Sequence, residues 1–299
     1  MSEQALPASR LVRMPLVPST ADDRYFDYCL EPYTPRRPWQ GKLRSENLFW
    51  HSLQVAGARD ALEPPVRAIQ DALGPDLTVW GVKWDGARLF WELYFYDPRK
   101  EDAAARVTSI AETLAPWLRV VPAVRESVPY MMASFDLSAE SAARGRVEEV
   151  NLYLAGEAHH AGRSYKLREG GAAELENTYR FFRAKPEATA VVALLESSLF
   201  VDYGDPRTLS RVLVPELFAC KKICVAKKRT SDGVYYSGID VEQLLWFMRR
   251  FAYPAPLIEL IHAEKDRLDH LYFDVGIDYR DDPSSGGLVF PTSSYYGTL

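Results

Sequence analysis

Three stretches of this chain alternate in the same way, and that alternation restricts the fold more than any other feature of the sequence. In residues 89–97, Leu89, Trp91, Leu93 and Phe95 fall on one side of an extended chain, and Phe90, Glu92, Tyr94 and Tyr96 on the other. In residues 148–156, Val150, Leu152 and Leu154 oppose Glu149, Asn151 and Tyr153. In residues 270–280, Leu271, Phe273, Val275 and Ile277 oppose Tyr272, Asp274, Gly276 and Asp278. Successive strand side chains point to opposite faces, so each stretch has one apolar face and one face of Tyr with acid or amide. The apolar face must pack on helices. The other meets solvent in an open sheet, or lines the lumen of a closed barrel.

The strands come in pairs around turn signals. Asp85-Gly86 joins 77–84 to 89–97, a hairpin signature. Residues 130–137 and 148–156 flank a polar loop, Ser231-Asp232-Gly233 separates 221–229 from 234–239, and 281–287 separate the last two strands. Helical spacing fills the intervals at 46–63, 65–74, 101–118, 174–182, 187–196, 241–251 and 256–265. Ser45 is placed to cap the first helix. Pro64-Pro65 divides the first helix from the second, and Gly74 ends the second. The chain thus repeats helices followed by a hairpin, which predicts an antiparallel sheet in one domain over 45–299. The prolines at 7, 15, 18, 32, 35 and 38 make residues 1–44 an extended arm.

Charge and cysteine content narrow the function classes. Across 299 residues, 36 Lys and Arg stand against 41 Asp and Glu. That balance disfavours a nucleic-acid surface, which needs excess cations. Cys29, Cys220 and Cys224 cannot build a disulfide framework, as expected of a reducing compartment. No stretch reaches the roughly 18 apolar residues of a membrane span, and the start lacks a signal-peptide core, so a soluble, cytoplasmic monomer is expected. His159-His160 and Cys220/Cys224 lack partners at ligand spacing, so no metal site is assigned. Phosphate loops, nucleophile elbows and HExxH motifs are absent from the sequence. The 17 tyrosines either line a cavity or lie half-buried at the surface.

The order of these units resembles the ABBA-type aromatic prenyltransferases of bacteria. The matching residues are Asn151-Leu152-Tyr153-Leu154 on the fourth strand, Tyr94-Phe95 on the second, and Ser294-Tyr295-Tyr296-Gly297 at the end. The resemblance covers residues 45–299. It implies an α+β fold, a closed antiparallel β-barrel of hairpins surrounded by helices. It also implies transfer of an allylic prenyl group from a prenyl diphosphate to an aromatic or amino-acid-like acceptor in the lumen. Under it Asn151 contacts the diphosphate, while Tyr153 and Tyr94 shield the carbocation, a cation–π role open also to Tyr96, Tyr235 and Tyr272.

The chain departs from that pattern at the cations. Glu92 stands where the family carries a diphosphate-binding Lys, residues 289–292 lack a second, and no Arg marks residues 233–235. Replacement cations are Lys83 and Lys228, with Lys227, Arg229, Arg36 and Arg37 as further candidates. Glu92 and Asp274 are candidate bases for the acceptor's proton. Together with Asp136 and Asp278 they are also candidates to hold Mg²⁺ against phosphate or to recognise a cationic acceptor. Two alternatives remain: a barrel of this architecture that binds a polar-aromatic or cationic molecule without diphosphate chemistry, and an open sheet serving as an interaction platform.

Overall fold

The computed structural model describes residues 15–97, 99, 101–156 and 160–299. Ten strands form a closed antiparallel barrel. They are β1 (Thr78–Trp84), β2 (Leu89–Tyr96), β3 (Met132–Leu137), β4 (Glu149–Ala155), β5 (Ala161–Arg168), β6 (Glu174–Arg183), β7 (Lys222–Lys228), β8 (Asp232–Ile239), β9 (Phe273–Asp281) and β10 (Leu288–Thr298). Each pairs with the next in sequence, and β10 closes on β1 with Val79 opposite Thr298 and Lys83 opposite Ser294. The fold is α+β and the sheet is closed, not open.

Helices wrap the outside: α1 (Glu46–Val55), α2 (Arg59–Leu73), α3 (Val107–Leu114), α4 (Ala139–Arg144), α5 (Ala188–Glu196), α6 (Pro206–Val212), α7 (Val241–Arg250), α8 (Ala255–Ala263) and α9 (Lys265–Leu268). The core lies between the two layers. Trp91, Leu93 and Phe95 of β2, Val150 and Leu152 of β4, and Phe273, Val275 and Ile277 of β9 are buried there. They meet apolar stripes such as Leu62, Val66, Ile69 and Leu73 of α2 and Leu244, Leu245, Phe247 and Met248 of α7. Trp91 is fully buried and its Nε1 donates to Ser52 Oγ of α1 at 2.8 Å. Trp91→Ala should therefore lower stability by about 3–5 kcal/mol. A fall in urea midpoint with unchanged slope would show it.

Several expectations are corrected. Residues 174–182 form a strand, not a helix, and with β5 they supply a fifth hairpin. The outer side of this hairpin is barely covered, with Leu175, Arg163 and Arg180 exposed, so it carries no wholly apolar face. α2 runs through Pro64 and Pro65. The break between α1 and α2 is at Gly57 instead, whose φ of +68° reverses the chain. Ser45 does not cap α1; its hydroxyl donates to Thr298 O at 2.8 Å and ties the helix start to β10. The helix expected over 101–118 is confined to α3 and a preceding 3₁₀ turn. Asp232 and Gly233 belong to β8, leaving the turn at 229–231. Among the described residues no helix is long and apolar enough to cross a membrane.

The part of the N-terminal arm that is described, 15–44, holds no helix. It is pinned by bridges between Pro18 and Leu43 and between Phe26 and Pro32.

Candidate functional site

Strand register fixes which side chains share the lumen, because residues directly opposite in an antiparallel pair point to the same face. Glu92 lies opposite Gly81 and Asp136, Tyr94 opposite Ser134, and Ser134 opposite Asn151. Asn151 lies opposite Lys166, Tyr153 opposite Ser164, and Gly276 opposite both Tyr235 and Ser294. Of these, Glu92, Tyr94, Asp136, Asn151, Tyr153, Lys166, Tyr235 and Ser294 line a cavity of about 200 Å³ inside the barrel.

The cavity is stratified. The turns at 85–88, 169–173, 229–231 and 282–287 gather at one end, and the lumen lysines lie near it. Lys83 bridges Glu92 at 2.5 Å and Asp136 at 2.9 Å. Lys166 meets Glu149 at 3.0 Å and Glu176 at 3.6 Å, and Lys228 meets Asp278 at 2.6 Å. Below them sit tyrosines. The ring of Tyr28 is 4.7 Å from that of Tyr296 and 5.6 Å from that of Tyr94. Tyr153 is 6.1 Å from Tyr94 and 6.0 Å from Tyr179, and Tyr235 is 6.3 Å from Tyr296. Two glycines make the packing possible. A Cβ on Gly276 would lie 2.4 Å from the Tyr235 ring, and one on Gly81 would lie 2.7 Å from that of Tyr296.

The arm closes the other end. Tyr28 N–H donates to Asp274 Oδ2 at 2.8 Å, and Tyr96 OH donates to Tyr28 O at 2.8 Å. Glu31 of the arm pairs with Lys222 of β7. The Tyr28 ring thereby becomes the floor of the cavity.

Glu92 is the hub of the lumen hydrogen bonds. Its Oε2 accepts from Tyr94 OH at 2.6 Å, and its Oε1 accepts from Ser134 Oγ, from Tyr153 OH at 3.2 Å and from Asn151 Nδ2 at 3.5 Å. Burial pushes the Glu92 carboxyl up, but Lys83, with the hydrogen bonds from Ser134 and Tyr94, brings it below its ordinary value. Asp136 goes the other way: burial, with Glu92 adding to it, raises it despite Lys83. Lys83 is held well above its usual value: burial disfavours its charge, but Asp136 and Glu92 outweigh that. Burial likewise raises the phenols of Tyr28, Tyr94, Tyr153 and Tyr235, so they stay neutral at physiological pH.

Nine of the expected residues face this one cavity: Lys83, Glu92, Tyr94, Asp136, Asn151, Tyr153, Lys228, Tyr235 and Asp278. Three do not line it. Asp274 lies beneath the arm, accepting from the backbone N–H groups of Tyr28 and Gly238. Tyr96 sits at the same level, bonded to the arm. Tyr272 packs outside the lumen against Tyr33, with Lys221 Nζ 4.0 Å from its ring centroid. The further candidate cations also lie elsewhere. Lys227 pairs with Asp232, Arg229 with Glu174 and Arg37 with Asp269, and Arg36 stands over the Tyr272 ring.

Sequence reasoning missed Lys166, on a stretch given no element, Glu176, Asn177 and Tyr179, on the stretch read as helix, and Tyr28 on the arm. Glu176 and Asn177 are consecutive, yet both line the cavity. A β-bulge explains this: Ser164 pairs with Asn177 and Tyr165 with Leu175, so Glu176 is the extra residue. Among the described residues no group of three or more His, Cys, Asp or Glu side chains is arranged to hold a metal ion; His159 lies outside those residues. No protein-family model matches the chain, and no curated protein matches it significantly.

Proposed function

We propose that this protein transfers an allylic prenyl group from a prenyl diphosphate to a small acceptor inside the barrel, as the resemblance to ABBA-type prenyltransferases implies. The observation that carries the reading is the stratification of one cavity, with three lysines toward the mouth and a tyrosine cage closed by Tyr28 beneath. An allylic diphosphate has the same polarity. Its anionic head would lie against Lys83, Lys166 and Lys228, and its apolar tail among the rings.

In this reading the allylic C–O bond breaks and its electron pair leaves with the diphosphate. The faces of Tyr94, Tyr153, Tyr179, Tyr235 and Tyr296 stabilise the resulting cation electrostatically, and the closed floor keeps water away. The acceptor then forms a bond to the cationic carbon and loses a proton. Glu92 is poorly suited to take that proton, because both of its oxygens are already engaged. Asp136, with Lys83 as its partner and its carboxyl raised, is the better base. Glu92 becomes a positioning residue that orients Lys83, Tyr94 and Tyr153. A Mg²⁺ ion would be held by Asp136 or Asp278 together with the phosphate oxygens, and would neutralise charge on the leaving group.

Incubation with dimethylallyl or geranyl diphosphate and a pool of aromatic and amino-acid acceptors, with and without Mg²⁺, should give a prenylated product. Absence of turnover together with absence of diphosphate binding by calorimetry would refute the reading. Lys166→Gln and Lys228→Gln should each weaken diphosphate binding by about 10- to 100-fold, the worth of one charge-assisted hydrogen bond.

A further inference from the structure

We infer that the cavity recognises a guanidinium group, seated on the Asp136 carboxylate and the amide oxygen of Asn151, in the field of the neighbouring Glu92 charge. As the identity of the prenyl acceptor this rests on the function proposed above; as a binding site it stands apart from it.

The first observation is a shortage of positive charge. Glu92 and Asp136 face each other across β2 and β3, and the ammonium of Lys83 is shared between them. Two carboxylates divide one cation. Around the whole cavity three lysines (Lys83, Lys166, Lys228) stand against four acids (Glu92, Asp136, Glu176, Asp278).

The second observation is independent of charge. Asn151 is only 6% exposed and lines the cavity. Its Nδ2 faces Glu92 Oε1 and Ser134 Oγ, and a carboxylate can only accept, which fixes the orientation of the amide. The opposite atom, Oδ1, is buried and has no donor among the described residues. A buried acceptor without a donor is uncommon in native structures, and one on a cavity wall points to a ligand N–H.

The third consideration is what a diphosphate does to this charge pattern. The lysines that would hold it are already the counter-ions of the carboxylates. When an anion draws them away, the carboxylates lose their partners and their demand for a cation rises. A cationic acceptor and an anionic donor would therefore assist each other's binding. Among cations, guanidinium suits the site best. Its planar fork presents several N–H groups to a carboxylate and an amide oxygen at once, it is weakly hydrated, and it stacks on aromatic faces.

Isothermal titration of the full chain with 1-butylguanidine, butylurea and butylamine tests this. Butylguanidine should bind at least 10-fold tighter than the neutral butylurea and tighter than butylamine, and saturating pyrophosphate should tighten it further. Asp136→Asn should weaken butylguanidine about 10-fold and the neutral butylurea far less. Asn151→Leu, which removes the free acceptor without touching a charge, should weaken butylguanidine as well and serves if the first variant does not fold. Equal affinity for butylurea, equal affinity for butylamine, or no binding with or without pyrophosphate would each overturn the assignment. Butylguanidine binding without any prenyl product from an allylic diphosphate would instead count against the proposed reaction and leave the site standing.

Discussion

Replacing Lys83 with methionine is expected to lower stability by about 3–5 kcal/mol, the usual effect of stranding buried carboxylates without their cation. Glu92 and Asp136 both depend on this ammonium, and neither has another described cation within ion-pair distance. The loss should depend on pH, with a definite sign. Asp136 already has a raised carboxyl in the intact protein, and without Lys83 it rises further. A folded-state value above the unfolded one means that acid favours the folded form. Lys83→Met should therefore be less damaging at pH 5 than at pH 8, and adding Glu92→Gln should recover part of the loss at pH 8. Urea unfolding of the single and double variants at both pH values measures this, and the double-mutant cycle isolates the coupling. An equal loss at both pH values would show that the triad is not charged as described.

Removing the arm through Tyr33 should have the largest effect on chemistry. It exposes the tyrosine cage to water from below, so in the proposed reaction the allylic cation should be quenched to the prenyl alcohol. The ratio of alcohol to transferred product should rise at least about 10-fold, since exclusion of water is what suppresses that side reaction. Tyr28→Ala should do the same more mildly while keeping the rest of the arm. Chromatographic separation of the two products reads the result, and an unchanged ratio would remove the arm from the mechanism.

The arm also carries a pH dependence of its own. Burial, with the charge of Asp27 adding to it, lifts Asp274 to about 7, while the backbone N–H groups of Tyr28 and Gly238 that it accepts from oppose the rise. Asp27 is raised by burial as well, Glu31 and Lys222 pair beside it, and Lys221 on the same side is lowered by burial. The arm covers Asp274 at Oδ2 through the Tyr28 N–H, so docking of the arm adds to its burial. The docked form is thus favoured while Asp274 keeps its proton, and weakens as pH rises through about 7. Hydrogen exchange at the Tyr28 amide should be faster at pH 8 than at pH 6, after correction for intrinsic rates. Asp274→Asn should flatten that difference.

The barrel was legible because β2, β4 and β9 each separate a helix-facing side from a Tyr-and-acid side, and hydrophobic burial enforces that separation. It was illegible at β5 and β6 for the complementary reason. Their outer face has little helix against it, so Arg163 and Arg180 need not be apolar and the period of two is lost. The bulge at Glu176 then shifts the phase within β6. The candidate site divides along the same line. Lys83, Glu92, Tyr94, Asn151 and Tyr153 follow from strand parity, but the position of Tyr28 depends on where an irregular segment docks, which no periodicity encodes. Asp274 shares the parity of the lumen residues and still misses the cavity, because parity gives the face of a residue and not its depth.

A chamber with a floor and, among the described residues, a mouth at the lysine end imposes an order on its traffic. Whatever reaches the tyrosines must pass the lysines first, and nothing held near the lysines can be overtaken. The molecule bound deepest enters first and leaves last, and one lodged at the rim seals in the one beneath. Tyr28 therefore sets more than the dryness of the cage. By covering the arm end of the described cavity, it makes the sequence of arrivals and departures a property of the architecture, whichever molecules occupy the two levels.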